Sequence, residues 1–405
     1  MEKTNWQEIF YYNFLEELKG FKIPPSIISK LVWKPLNKNN IKIYGEDRDK
    51  DFSKIELTEK EVIETLQNLP PQKINVDLDF LRDRKIVVLI VPGFTHHTLK
   101  NLSLHEQMYD KYSPHHIVRF KFNSTGTEVE EDLFHRGEGL KLGYMAYPRA
   151  NAHSAFVLPG LFDLIFKSKS LRKWVLDEGR KIVFMGYSYG APLTLELLSR
   201  MNRGETKDDY ILKNTVGFLS LCGDIGGSHL ADYVYKETSP YNVHKALELA
   251  NKYKLLANIF GLKTEQDKKD ILGGAKSLGH EERQKAIKLY EDSMPSNLKY
   301  FSISAIMPTN DYVNSLFRNF DDWSMHKQSL AYTDLTIYND GQVALPDTWI
   351  PEFARIPKEN LINLGAVRTH HWGVSYRTFN FGNNKFPRVA FYHALMKTFF
   401  QAGIG

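Results

Sequence analysis

Lys181-Ile182-Val183-Phe184-Met185-Gly186-Tyr187-Ser188-Tyr189-Gly190 is the stretch whose reading decides the fold of this chain. The apolar run at its start predicts a buried parallel strand. The residues that follow, Ala191-Pro192-Leu193-Thr194-Leu195-Glu196-Leu197-Leu198, predict a helix. A serine between two glycines at a strand-to-helix turn is a nucleophile elbow. Such a turn lifts one hydroxyl above the sheet in a strained backbone conformation, and the glycines remove side chains that would collide there. The helix N-terminus behind Ser188 carries positive potential from its unpaired amides, so the amide of Tyr189 is placed to donate to a developing oxyanion. Gly-x-Ser-x-Gly is short enough to arise by chance. The strand before it and the helix after it are what give it weight.

Upstream, Lys85-Ile86-Val87-Val88-Leu89-Ile90-Val91 is a continuous apolar run, as expected of a strand covered on both faces. It ends in Pro92-Gly93-Phe94-Thr95, and an early strand closing in a glycine turn supplies the second oxyanion donor in this architecture. By position that donor is the amide of Phe94. His96-His97 follows, but adjacent histidines in an extended segment point apart, so no metal site is expected there. His116 to Phe122 alternates and reads as the next strand. Asn123 to Pro159 is polar, rich in Gly, His and Tyr, and reads as a long loop. A short helix over Leu171 to Glu178 then leads into the Ser188 strand.

Downstream, Val216 to Leu221 reads as another buried strand, ending at Cys222-Gly223-Asp224, and Tyr300 to Ile306 reads as the strand after it. The insertion between them, about residues 225–297, predicts an amphipathic helix over Val243 to Phe260 and two more, one opening at Thr264 and one over Glu281 to Tyr290. These form either a cap over the serine or an embellishment packed to one side.

Leu335 to Val343 places Asp340 in an Asn-Asp-Gly turn, and the apolar run Leu361 to Val367 leads to Arg368-Thr369-His370-His371-Trp372-Gly373. Ser188, Asp340, His371 is the chain order this architecture requires of its nucleophile, acid and base. His370 is the other candidate base, and Asp311 and Asp224 are the other candidate acids. Pro387 to Phe400 predicts an amphipathic closing helix. Residues 1–84 form an N-terminal extension with a helix over Trp6 to Leu18 and a second opening at the capping box Thr58-Glu59-Lys60-Glu61 and stopping at Pro70-Pro71. The polar stretch Asn37 to Ser53 between them reads as an exposed loop or weak hairpin.

Composition sets the outer bounds. The 405 residues suit one large domain with insertions, or two domains, and 42% hydrophobic with 25% charged residues is ordinary for a globular chain. A net charge of +5 with no basic stripe interleaved with aromatics gives no support for a nucleic-acid partner. Aromatics at 13% suit an apolar pocket. Cys222 is the lone cysteine, which excludes an intramolecular disulfide and a thiolate metal cluster. Residues 1–20 show no secretory leader and no apolar run reaches the ~18 residues of a membrane span, so the default expectation is a cytoplasmic protein.

In these residues the chain resembles the α/β-hydrolase superfamily, and within it the bacterial triacylglycerol lipases and carboxylesterases. The resemblance runs from about Lys85 to Gly405. It rests on Gly186-Tyr187-Ser188-Tyr189-Gly190, Pro92-Gly93-Phe94, Asn339-Asp340-Gly341-Gln342-Val343 and His371-Trp372-Gly373. It implies an α/β-hydrolase fold with a mostly parallel central sheet flanked by helices and a helical cap insertion, while the N-terminal helical extension, residues 1–84, lies outside what the resemblance covers and is expected to pack on the core. It also implies Ser188 as nucleophile, Asp340 as acid, His371 as base, the amides of Phe94 and Tyr189 as oxyanion hole, a small acyl ester as substrate, and no cofactor. A thioesterase or acyltransferase would use the same triad, and a non-catalytic member would only bind its ligand. The chain departs from the lipases at Pro92, where a histidine is common, in its N-terminal extension, and in lacking their secretory signal.

Overall fold

The computed structural model describes residues 4–37, 39–69, 84–94, 115–206, 209–234, 264–312, 320–375 and 386–404. Eight strands form one sheet: β1 (Ile86–Val91), β2 (His116–Phe122), β3 (Val129–His135), β4 (Lys141–Ala146), β5 (Lys181–Tyr187), β6 (Thr215–Leu221), β7 (Lys299–Ile306) and β8 (Leu361–Arg368). Their spatial order is β3-β2-β4-β1-β5-β6-β7-β8, and every neighbouring pair is parallel except β2 with β3.

The apolar runs are continuous because both faces of the sheet are covered. Along β1, Ile86, Val88 and Ile90 enter one core together with Val183 and Met185 of β5, while Val87, Leu89 and Val91 enter the other with Ile182 and Phe184. Helices Ser154–Lys167 and Gly190–Asn202 pack on the second face. On the first face lie helix Arg388–Gln401 and, against it, helix Trp6–Gly20. The closing helix is therefore buried almost all round: Phe10 and Phe14 pack on Phe391, and Asn13 donates to Thr398 Oγ1 at 2.9 Å.

The stretch expected to be a loop, Asn123 to Pro159, instead holds β3, β4 and the start of the Ser154–Lys167 helix. Two features disguise these strands. β3 is a border strand whose acidic side chains face the cations of β2, with Asp132 on Arg119 at 3.0 Å and Glu130 on Lys121 at 3.4 Å. β4 carries Gly143 at a point where a Cβ would sit 2.5 Å from Phe120 Cε2 and 2.8 Å from Leu89 Cδ2, so the packing demands a residue with no side chain. The Thr58 capping box is present and opens the helix Glu59–Asn68. Asn37 to Ser53 forms no strand among its described residues. The helix expected over Val243 to Phe260, the His96-His97 pair and Pro70-Pro71 lie outside the described residues.

The N-terminal segment also grips the far side of the sheet. Val32 bridges to Val367 of β8, Arg368 N donates to Leu31 O at 3.1 Å, and Trp33 Nε1 donates to Ile306 O at 3.1 Å. Trp33, Leu36, Ile41 and Ile55 form a third apolar cluster with Ile306, Tyr338 and Leu345, and Tyr338 Oη donates to Asp49 Oδ2 at 2.7 Å. Among the described residues, no helix is long and apolar enough to cross a membrane.

Candidate active site

Ser188 sits at the end of β5, immediately before the helix Gly190–Asn202, with φ at 53°. That left-handed conformation strains any residue but glycine, and it persists because the surroundings leave no alternative. A Cβ on Gly190 would lie 2.0 Å from Val91 O, and one on Gly186 would lie 2.5 Å from Ala191 Cα. The elbow is thus packed backbone against backbone on the end of β1. The Pro92-Gly93-Phe94 turn follows the same constraint, since a Cβ on Gly93 would lie 2.6 Å from Ser188 Cβ and 3.1 Å from its Oγ. The turn before Phe94 therefore borders the hydroxyl directly. Tyr147 braces it, donating to Pro92 O at 2.5 Å. Tyr189 is buried, with its hydroxyl on Ala152 O at 3.0 Å and Ser277 Oγ at 3.1 Å.

Asp340 and His371 meet as the chain order requires. His371 Nδ1 lies 2.6 Å from Asp340 Oδ2, and both residues are buried. The carboxylate is fixed by its own turn: Oδ1 accepts from Gln342 N at 2.9 Å and Val343 N at 2.8 Å, and Asp340 O accepts from His371 N at 2.7 Å. Burial would lower the imidazole's pKa, but the charge and hydrogen bond of Asp340, with Asp224 adding, hold it above the ordinary value. With Nδ1 committed to the carboxylate, the buried Nε2 has no hydrogen-bond partner among the described residues. Tyr187, next to Ser188 in the chain, ties the two halves together. Its hydroxyl donates to His371 O at 3.0 Å, and the rings lie 5.1 Å apart.

The other candidates fall elsewhere. His370 is buried with Nε2 3.0 Å from Asp322 Oδ1 and Nδ1 accepting from Gly373 N at 2.9 Å. Asp311 is exposed and pairs with Arg368 at 3.1 Å. Asp224 lies against the serine: Ser188 Oγ donates to its Oδ2 at 3.3 Å, and Asp224 N donates to Ser188 O at 3.4 Å. Burial pushes this carboxyl up to about 7, with Asp340 adding, while the charges of His371 and Arg283 and the Ser188 hydroxyl pull the other way. A second strained turn aims it there, with Cys222 at φ 46° where β6 ends beside β5. Tyr147 and Tyr187 carried no signal in the sequence beyond being aromatic.

No protein-family model matches this chain, and a search of curated proteins finds no match. Among solved structures, the metagenomic carboxyl esterase MGS0156 is similar with a TM-score of 0.55 and 15% identity, covering 98% of this chain and 92% of that one. Bacillus licheniformis lipase BlEst2 in its mature form gives 0.39 and 14%, over 70% of this chain and 84% of that one. Phospholipase PlaB from Legionella pneumophila gives 0.35 and 12%, over 65% and 45%. At such identities the likeness is one of architecture. With its mostly parallel eight-stranded sheet, its helices on both faces and its serine elbow at the end of a central strand, this chain has the α/β-hydrolase fold.

Proposed function

We propose that the protein is a serine hydrolase that cleaves a carboxylic ester through Ser188, His371 and Asp340. The observation that carries this reading is the buried His371–Asp340 pair, with Nδ1 on the carboxylate at 2.6 Å and the opposite nitrogen uncommitted, on the same rim of the sheet as the strained serine.

In this reading His371 Nε2 takes the proton from Ser188 Oγ as the oxygen attacks the ester carbonyl carbon, and the carbonyl π pair moves onto its oxygen. The amides of Tyr189 and Phe94 receive that charge, each worth ~3 kcal/mol of barrier. Collapse of the oxyanion breaks the bond to the alcohol oxygen, which leaves with the proton from His371. Water, deprotonated by the same imidazole, then attacks the acyl-enzyme, and collapse returns Ser188 with its proton and a free acid. Asp340 holds the imidazole tautomer throughout and stabilises the imidazolium. Asp224 touches the nucleophile and not Nδ1 of the base, which favours Asp340 over it as the orienting acid.

The helix Glu265–Leu278 supports a capped site. A Cβ on its Gly274 would lie 2.5 Å from Phe94 Cε2, and its Ser277 receives the Tyr189 hydroxyl. Together with His280–Tyr290 it would wall an apolar acyl pocket and exclude water.

The test is labelling by a fluorophosphonate probe, run beside turnover of short-chain nitrophenyl esters. Wild type should do both, and Ser188→Ala should lose both while keeping its circular dichroism spectrum. Retained labelling or turnover in that variant would remove Ser188 from the mechanism. A panel of esters of increasing acyl length would then measure the pocket.

A further inference from the structure

Away from Ser188, two histidines and two aspartates from three separate segments converge. His229 opens the helix His229–Val234, which also carries Asp232; His280 opens the helix His280–Tyr290; Asp347 lies in the turn Leu345–Thr348, downstream of the Asp340 loop. His229, Asp232 and His280 bring one donor atom each within 4.8 Å of one another. Asp347 Oδ2 lies 3.4 Å from His280 Nε2 and 4.0 Å from His229 Nε2, and His280 Nδ1 lies 2.6 Å from Asp232 Oδ2. The two imidazole rings are 4.1 Å apart.

We infer that His229, His280 and Asp347 bind one divalent cation of the zinc type, with Asp232 orienting His280 from behind. Donors about 2.1 Å from a tetrahedral zinc stand roughly 3.4 Å from each other, so Asp347 Oδ2 and His280 Nε2 are already at ligand spacing, and His229 Nε2 stands farther from Asp347, at 4.0 Å. Asp232 on the far ring nitrogen is the carboxylate that typically fixes the tautomer of a ligating histidine. Two imidazoles select a borderline ion over calcium or magnesium, which take oxygen ligands, and the two carboxylates balance its charge.

The segments already touch one another. Gly226 N donates to Asp347 O at 2.8 Å, Ser228 N to Leu278 O at 2.9 Å, and Ser228 Oγ to Gln342 O at 2.7 Å. An ion here would bolt the segment after β6, the junction of the two inserted helices and the Asp340 loop into one unit. The inference does not depend on ester cleavage.

The full chain, stripped by dialysis against a chelator, should bind one zinc per molecule by titration calorimetry and melt at a higher temperature as zinc is added. Cobalt in its place should give the visible absorption of a four-coordinate site, a reading on the unmutated chain that no folding defect can spoil. His229→Ala and Asp347→Asn should weaken zinc by more than roughly 100-fold, and Asp232→Asn by roughly 10- to 100-fold. The inference is overturned if the stripped wild type shows no saturable zinc heat and no cobalt absorption, the result expected of an ion-pair staple alone, or if folded His229→Ala and Asp347→Asn bind zinc like wild type.

Discussion

His370 and His371 are neighbours, both buried and each against an aspartate, but their rings are committed differently. His370 spends Nε2 on Asp322 and Nδ1 on the Gly373 amide, whereas His371 spends only Nδ1, on Asp340. A histidine with both nitrogens occupied is a structural strut. One held from behind, with the other nitrogen available, can move a proton. The difference arises in the short 3-10 turn His371–Val374, which His370 caps with its own ring. Burial and proximity to a carboxylate do not separate the two; the direction of the second nitrogen does.

The sharpest way to break this comparison is to remove each ring in turn. His371→Ala should lower kcat/KM by roughly 10⁴- to 10⁶-fold, far more than the accompanying loss of stability from leaving buried Asp340 without its imidazole partner would explain. His370→Gln should leave kcat within about tenfold and instead destabilise the fold by on the order of 3 kcal/mol, because it strips a partner from buried Asp322. Interchanged outcomes would transfer the base role to His370. Among the acids, Asp340→Asn should cost about 10⁴-fold in kcat. Asp311→Asn, at an exposed ion pair, should cost less than ~1 kcal/mol of stability and leave kcat alone. A large kinetic loss in the Asp311 variant would reassign the acid.

The smallest effect concerns pH. In the proposed mechanism His371 acts as a base when neutral, and its pKa is raised, so kcat/KM should fall on acidification with a midpoint above the ordinary 6.5. Asp224 contributes to that elevation, so Asp224→Asn should move the midpoint to lower pH while kcat stays within about tenfold. The same variant has a linkage signature. The folded carboxyl titrates near 7 against an ordinary 3.8, so the stability it contributes is present below about pH 4 and is lost as pH rises through 7. The variant should therefore gain on wild type in melting temperature as pH increases. An unmoved midpoint would show that Asp224 does not act on His371.

The candidate site was legible in the sequence where the signal was local. The elbow is a few consecutive residues whose glycines and flanking apolar runs have one steric explanation, and Asp340 and His371 sit in turns that name themselves. The contact of Asp224 with Ser188 was not legible, because it depends on β6 lying beside β5 and on the turn at Cys222, neither of which is visible in linear sequence. β3 and β4 were read as loop because a charged border strand and a glycine-bearing strand lack the apolar run that marked β1 and β5. The His229, Asp232, His280 and Asp347 cluster was invisible for a third reason: it is assembled from three segments that lie far apart in the chain.

The two borders of the sheet are sealed by different means. On one side β3 presents acidic side chains, and on the other the Val32 bridge to Val367 lays the N-terminal segment along β8. Among the described residues one margin is charged and the other is bridged by the N-terminal segment, so a chain shortened past Trp33 should betray itself by self-association, even where the surviving residues still fold.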